Sequence, residues 1–200
     1  MTRHERLTLG VSVAALVISI CSPLVNYYWL QSEVRIRELK GEAFHVDPTV
    51  YLCENTQTMV YEIDVNNTGL WPIERVHLTL QKRFETINFD NKPYKPGAGL
   101  KFVFDKKNIK PDPPIDISVQ EKADYLIVNF KDSLPPKLEM RLARFFFREL
   151  PRDLFTMFDD LESLSPYIWV SSEVSSFDAF WDAKDDCPTV ERIRGELSTP

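Results

Sequence analysis

A long uncharged segment near the N-terminus constrains this chain more than any other feature. No charged residue lies between Arg6 and Glu33, and the run 7–30 reads LTLGVSVAALVISICSPLVNYYWL. As a helix, this run measures about 36 Å, which exceeds the roughly 30 Å hydrocarbon core of a bilayer. Three aromatic residues, 27–29, stand at its end, where interfacial aromatic belts lie. The segment therefore predicts a single transmembrane helix over 7–30.

Other interpretations of this segment were weighed against a retained anchor. A cleaved signal peptide has a basic start and an apolar stretch, but this stretch is long and no A-x-A-like site follows it. A bacterial lipoprotein signal needs a small residue before Cys21, where Ile20 stands. A buried core helix has a polar face, and no polar periodicity is present. We expect a retained anchor, and an integral protein with a single span in a bacterial inner membrane.

The sequence leaves the side of the soluble domain open. Two arginines, Arg3 and Arg6, precede the segment, and three basic residues follow it within 35–40. The positive-inside rule counts these as nearly a tie. Cys53 and Cys187 could pair in an oxidising compartment or stay as buried thiols in a reducing one.

After Gly41, which is predicted to end the helix, the apolar pattern changes to period two. Residues 59–65 and 76–80 alternate, and a turn-forming Asn-Asn-Thr-Gly sequence lies at 66–69. Further strands are predicted at 51–54, 84–89, 100–105, 115–120, 125–131 and 166–174. The connections between these segments are rich in turn-forming residues, as at 93–97 and 111–114, and the whole chain has fourteen prolines but only six glycines. Many short strands with such turns predict a β-sandwich or a barrel.

Two stretches carry a resemblance to a known family. MVYEIDVNNTGLWPIERVHLTL resembles the core hairpin of bacterial immunoglobulin-like modules of the CARDB type, and YLIVNFKDSLPPKLEMRL is similar to their later strand, L-P-P turn and strand. The resemblance spans roughly 57–147, and the chain departs from the pattern after Phe147. It implies an antiparallel β-sandwich that binds or displays a partner, and it implies no catalytic residues.

The predicted fold class is therefore mainly β. It is an immunoglobulin-like antiparallel β-sandwich with short C-terminal helical additions at 152–164 and 177–186, preceded by a single N-terminal transmembrane helix. The predicted divisions are an N-terminal tail 1–6, the transmembrane helix 7–30, a juxtamembrane helical linker 31–46, the β-sandwich domain 47–174, and a C-terminal short helix and tail 175–200.

The segment 137–150 allows two interpretations. As a strand, it is an edge strand with solvated arginines and a bulge, and we favour this interpretation. As a helix, it sets four arginines along one face, where they could contact an anionic membrane or a phosphate-bearing ligand. These candidate contact residues are Arg141, Arg144, Arg148 and Arg152.

Known catalytic and cofactor motifs are missing from the sequence. It contains no phosphate-binding glycine loop, no H-E-x-x-H, no G-x-S-x-G and no C-x-x-C. The aspartates within 178–186 lack the spacing of a calcium loop. We predict no catalytic, cofactor-binding or metal-ligating residues, and we expect a protein that is not an enzyme.

Charge restricts the class of partner. The chain has 24 Lys+Arg and 30 Asp+Glu; without the five basic and three acidic residues of 1–40, 19 and 27 remain, a balance of -8. This acidity argues against nucleic acid as a partner. An anionic bilayer would also repel this acidic domain, unless a local basic patch faces the lipid.

Three functions are compatible with these observations. The leading hypothesis is a single-pass membrane-anchored β-sandwich that acts as a binding or interaction protein, with a protein partner or self-association. The alternative is a membrane-tethered effector or sensor whose cytoplasmic β-domain recognises a small anionic, nucleotide-like signal, for example in a defence system. An enzyme with a dispersed site is the third.

Overall fold

A computed structural model describes residues 3–85, 100–150, 166–179 and 182–184 of the chain, and it leaves the side chains of 3–14, 16, 20, 85 and 182–184 outside that description. The first element is a helix, α1, from Arg3 to Glu42. It therefore ends four residues before the predicted limit of the linker at 46.

Across the described part of the chain, no helix has both the length and the apolar character that crossing a membrane requires. The predicted span 7–30 begins with residues 7–14, whose side chains lie outside the description. Its later aromatic residues are well exposed, with Tyr28 at 69% and Trp29 at 66%.

Twelve strands lie in the described residues. In chain order they are β1 (Phe44–Cys53), β2 (Thr58–Asn67), β3 (His77–Gln81), β4 (Arg83–Glu85), β5 (Lys101–Val103), β6 (Ile109–Asp112), β7 (Ile117–Glu121), β8 (Tyr125–Phe130), β9 (Leu138–Phe147), β10 (Ile168–Ser171), β11 (Ser176–Ala179) and β12 (Asp182–Lys184). The first sheet has the order β12-β1-β2-β9-β6, and the second has the order β11-β10-β3-β8-β7. Strands β4 and β5 form a separate pair. All pairings are antiparallel except that of β1 with β12.

The two sheets share one hydrophobic core. In β2 the core-facing residues are Met59, Tyr61, Ile63 and Val65, with Val60 and Glu62 of the opposite side also buried, and in β3 Leu78 and Leu80 alternate with half-buried polar residues. The core-facing side chains belong to a single cluster with residues of both sheets. At one end Tyr61 meets the rings of Phe84, Phe104 and Phe147 edge to face, at centroid distances of 5.7, 5.5 and 5.6 Å. The prediction of a mainly β, sandwich-like fold is confirmed.

The helix joins the sandwich through contacts at the β2–β3 loop and the β10–β11 turn. Lys40 Nζ lies 2.8 Å from Glu173 Oε1. Thr68 N donates to the Ala43 carbonyl at 2.9 Å. Burial would raise the pKa of Glu173, but hydrogen bonds from Lys40 and from the backbone of Glu74, together with the charge of Lys40, hold it below its usual range. These contacts connect the C-terminal end of α1 to the folded domain.

Several predicted elements differ from the structure. The helix expected over 177–186 is wrong, because β11 and β12 occupy that region. Phe177 faces the core from a strand and packs 6.1 Å from the ring of Phe44. Pairing with β10 and β1 therefore overrides the helical spacing of the aromatic residues. The helix expected over 152–164 lies outside the described residues.

Candidate functional site

The four arginines predicted as ligand or membrane contacts do not form a helical row. Residues 138–147 form β9, so the helical interpretation is wrong. The interpretation as an edge strand is also wrong, because β9 lies between β2 and β6. Arg148 is exposed just after the strand, and Arg152 lies outside the described residues.

A β-bulge brings two of these arginines to the same side of the first sheet. Arg141 pairs with Asp64, whereas Ala143 pairs with Ile63, so Leu142 is the extra residue. Arg141 and Arg144 both therefore face away from the core. The predicted bulge is present, but it turns the arginines toward acidic side chains of β2.

The middle of the outer face of the first sheet is closed, whereas His45, Asp47 and Glu139 toward one end of it are exposed. Arg144 and Glu62 form an ion pair, with exposures of only 9% and 6%, and Thr49 and Val60 beside them are 4% and 0% exposed. Burial and the charge of Glu62 raise the pKa of Asp64, against the opposing effect of Arg141. Burial also raises the pKa of Tyr51. A ligand has little surface to contact here, so we assign these arginines a structural position.

The outer face of the second sheet is open instead. The buried side chains of β3, β8 and β10 alternate with side chains that are at least partly exposed. We define the open face as the outward side chains of this sheet, namely His77, Thr79, Gln81, Ser118, Gln120, Tyr125, Ile127, Asn129, Trp169, Ser171, Ser176 and Asp178, together with Tyr167 before β10. None of them is in the buried class, so this side of the sandwich is accessible to a partner.

Aromatic rings stand on the open face. Tyr125 is 43% and Tyr167 47% exposed, and Trp169 is half-buried. Trp169 pairs with Thr79, which pairs with Ile127 on the next strand. Aromatic and apolar side chains therefore lie on β8 and β10, on either side of the polar outward residues of β3, where a sheet facing only water has polar residues throughout.

Hydrogen bonds hold the polar side chains of the open face in place. His77 Nδ1 lies 2.5 Å from Asn129 Oδ1, and the Thr79 hydroxyl lies 3.2 Å from His77 Nε2. Because a carboxamide oxygen only accepts, His77 carries its hydrogen on Nδ1, and Nε2 accepts from Thr79. The His77 ring also lies edge-on to Trp169, at 6.3 Å. The central polar groups are thus oriented before any partner arrives.

The edge of the open face has its own pair. The Tyr167 hydroxyl donates to Asp178 Oδ1 at 2.6 Å. This hydrogen bond, with smaller effects of desolvation and of the Asp178 charge, raises the pKa of Tyr167. Asp178 is the one formally charged residue of the open face, which has no lysine or arginine.

Sequence reasoning missed this face, because half-exposed positions on alternating strands are ordinary in antiparallel sheets. One signal was present in the sequence. Tyr125 to Val128 is an unbroken apolar run in a strand that otherwise has one buried side. The outward Tyr125 and Ile127 of that run belong to the open face.

Two other kinds of site were considered. Among the described residues, no three histidine, cysteine, aspartate or glutamate side chains gather in a way that could hold a metal ion. A groove runs along α1 near Tyr27, whose hydroxyl accepts from Gln31 Nε2 at 2.6 Å. All its walls belong to this one helix, so no second element shapes it.

No protein-family model matches the chain, and no curated protein matches it in sequence. It is similar to two crystal structures of the GH20 exo-β-N-acetylglucosaminidase from Vibrio harveyi, one in complex with N-acetylglucosamine and one of an inactive mutant. Identity is 12% in both, and the TM-scores are 0.34 and 0.33. The match covers 74% of this chain and 19% of each enzyme chain. At these scores the likeness assigns neither fold nor activity.

Proposed function

We propose that this chain is a single-pass membrane protein whose β-sandwich lies on an oxidising side of the membrane and binds a partner through the open face. The immunoglobulin-like assignment belongs to the same proposal. It is supported by two mainly antiparallel sheets of five strands each. The observation that carries the binding role is the contrast between the closed middle of the first sheet's outer face and the open, aromatic face of the second sheet.

The membrane anchor is supported by the uncharged run 7–30 and by its exposed aromatic end. Residues 31–42 continue the same helix for about 18 Å before the domain begins. The Lys40–Glu173 ion pair joins this extension to the sandwich. A stalk of this kind holds a binding domain at a fixed place above a bilayer.

The oxidising side is supported by Cys53, which is disulfide-bonded. Of the alternatives that the sequence left open, this state of Cys53 favours the oxidising one, because disulfides are rare in reducing cytosol. Its predicted partner, Cys187, lies outside the described residues. Cys21 in the helix is a free cysteine.

We propose binding rather than catalysis from the arrangement of titratable groups on the open face. His77 on β3 and Asp178 on β11 are separated by β10, and each already has a hydrogen-bond partner. Acid–base chemistry requires such groups to meet at one substrate atom. The nucleotide-sensor alternative depended on the arginine row, and Arg144 is instead paired with Glu62.

Fractionation and labelling test the anchor and the side. The full chain should sediment with membranes and leave them only in detergent. A cysteine introduced as Lys107→Cys in a Cys21→Ser background should react with a membrane-impermeant maleimide in spheroplasts, since Lys107 is well exposed. A cysteine introduced as Thr2→Cys should not react. Soluble full-length protein, or labelling of position 2 alone, would contradict the proposal.

Photo-crosslinking in cells tests the open face. A benzophenone amino acid at position 127 should give an adduct with a partner, because Ile127 lies in the middle of the open face. The matched control is the same group at position 103, since Val103 is 48% exposed on β5, outside that face. Equal adducts at both positions, or none at 127, would count against this face as the binding surface.

A further inference from the structure

We infer that the open face binds a neutral oligosaccharide, an inference that rests on the proposed binding function of this face. Three observations carry it: exposed aromatic rings, oriented amide and hydroxyl groups between them, and the nearly complete absence of charge.

The aromatic rings suit the apolar sides of pyranose rings. Tyr125 and Tyr167 are each more than two-fifths exposed, and Trp169 lies on the same face. An aromatic face carries partial negative charge, so it attracts the polarised C–H groups that a pyranose presents on one side. The rings on β8 and β10 are two strands apart, which at about 4.8 Å per strand is about 10 Å, a span that a short oligosaccharide can bridge.

The polar groups suit sugar hydroxyls. A carboxamide offers both donors and acceptors, which matches a hydroxyl that both donates and accepts. Asn129 already uses Oδ1 for His77, so its NH₂ group is directed by that bond. Gln81 accepts the Tyr167 backbone N–H through Oε1 at 3.2 Å, which orients its own NH₂ group in the same way. Oriented donors reduce the entropy that binding would otherwise cost.

The small charge of the open face favours a neutral ligand over an anionic one. The open face has no lysine or arginine, so it offers no counter-ion for a phosphate, a sulfate or an acidic glycan. Its single carboxylate, Asp178, is engaged by Tyr167. A neutral, hydroxyl-rich ligand is therefore complementary to this face.

A second copy of the chain fits the face less well. Sheets that stack on one another bury predominantly apolar faces. Here His77, Thr79 and Gln81 on β3 and Asn129 on β8 lie beside the rings, and stacking would strip water from all four. Self-association is retained as an outcome of the test.

The test uses the full chain in lipid nanodiscs, because sugar-headed detergents would compete. Titration calorimetry with cellohexaose, maltohexaose and chitohexaose should give saturable binding to at least one. Tyr125→Ala should weaken that binding by about tenfold, through loss of the stacking ring. Because Tyr125 is exposed, the variant should fold, and Tyr125→Phe should keep most of the affinity.

Trp71→Ala is the matched control, since Trp71 is 46% exposed in the loop between β2 and β3, away from the open face. It should bind as the unchanged chain does. Equal weakening by Trp71→Ala and Tyr125→Ala would overturn the assignment to this face. Stronger binding of an oligogalacturonate hexamer than of any neutral hexamer would overturn the neutral class.

The outcomes distinguish this inference from the proposed function. If no sugar binds, but the crosslinker at position 127 captures a protein or a second copy of this chain, the sugar assignment is wrong and the binding face stands. If no sugar binds and position 127 gives no adduct, both fail. Binding that depends on Tyr125 supports both.

Discussion

Arg144 donates from Nε to Oε1 of Glu62 on the neighbouring strand, and neither side chain is more than a tenth exposed. The two residues face each other on the outer side of the first sheet, which is the side that a sandwich normally leaves to water. This ion pair lies in the closed middle of that face, and it explains why Arg144 offers little surface to a ligand.

Removing one partner of this ion pair should strongly lower the free energy of unfolding. Glu62→Gln leaves the Arg144 guanidinium buried without its carboxylate, and we expect a loss of about 3–5 kcal/mol in the free energy of unfolding. Glu62→Leu combined with Arg144→Met should recover at least half of that loss, because no buried charge is left unpaired. Urea unfolding of the full chain in nanodiscs, followed by tryptophan fluorescence, measures both.

The control for this prediction is Asp116→Asn. Asp116 and Lys131 form an ion pair at 2.9 Å with both side chains more than half exposed. Loss of this ion pair should lower the free energy of unfolding by less than about 1 kcal/mol. If Glu62→Gln cost no more than Asp116→Asn, the closed face would not depend on this pair.

Asn67, the last residue of β2, should be very sensitive to substitution because it holds the loop that follows. Its side-chain nitrogen donates to the carbonyls of Trp71 at 2.8 Å and Pro135 at 2.9 Å, and its Oδ1 accepts the Gly69 N–H at 3.2 Å. The residue is fully buried, so Asn67→Ala should cost about 2–3 kcal/mol by leaving these groups unsatisfied. Equilibrium unfolding measures the loss. Asn66→Ala removes only an exposed bond to Asp47 and should cost much less, so equal losses would refute this role.

Substitution of Gly69 should destabilise the domain, because the side chain of Ala43 lies close to it. A Cβ at this position would lie 2.8 Å from the Ala43 Cβ, where helix and sandwich join. We expect Gly69→Ala to destabilise the domain by about 1–3 kcal/mol. Gly41→Ala meets nothing within 4 Å and lies within α1, so it should be neutral or stabilising by up to about 1 kcal/mol. Thermal unfolding of both variants decides, and a tolerated Gly69→Ala would show that this junction is loose.

The contact between helix and domain should weaken in acid. The folded-state pKa of Glu173 is lowered, so its carboxylate contributes stability above its ordinary value of about 4.5 and loses that contribution as the pH falls through the lowered value. Glu173→Gln should therefore be less stable than the unchanged chain at pH 7, and the difference should shrink below about pH 4.5. Amide hydrogen exchange at residues 38–42, compared between the two chains at each pH, measures this difference in stability. A difference that stays constant down to pH 2 would contradict it, and Glu139→Gln on exposed surface is the control.

Period-two patterning predicted the central strands because their buried residues make the alternation visible in the sequence. Residues 59–65, 76–80 and 125–131 were each expected as strands; the first lies within β2, and the other two match β3 and β8 to within one residue at each end. Strand β6 was not predicted because the prolines of 111–114 are typical of a connection between strands, and its pairing with β9 depends on tertiary contacts. Strands β11 and β12 were missed for a related reason. Strand β12 pairs with β1, which is far away in the sequence, and β11 pairs with β10, which has only four residues.

The closed and open faces could not be distinguished from the sequence. Glu62 and Arg144 are separated by 82 positions, and the bulge at Leu142 decides which side Arg141 and Arg144 occupy. The open face combines residues from five strands, so no local motif announces it. Such a site depends on register, and register is set by the whole sheet.

Oxidative footprinting in intact cells tests the central claim most directly, namely that a partner occupies the open face. Hydroxyl radicals modify exposed aromatic rings, so Tyr125 and Tyr167 should be oxidised readily in the purified full chain. In cells these rings should be protected several-fold, while Trp71, exposed to a similar degree outside this face, should be oxidised as in the purified chain. Equal oxidation of Tyr125 and Trp71 in cells and in the purified chain would contradict the account.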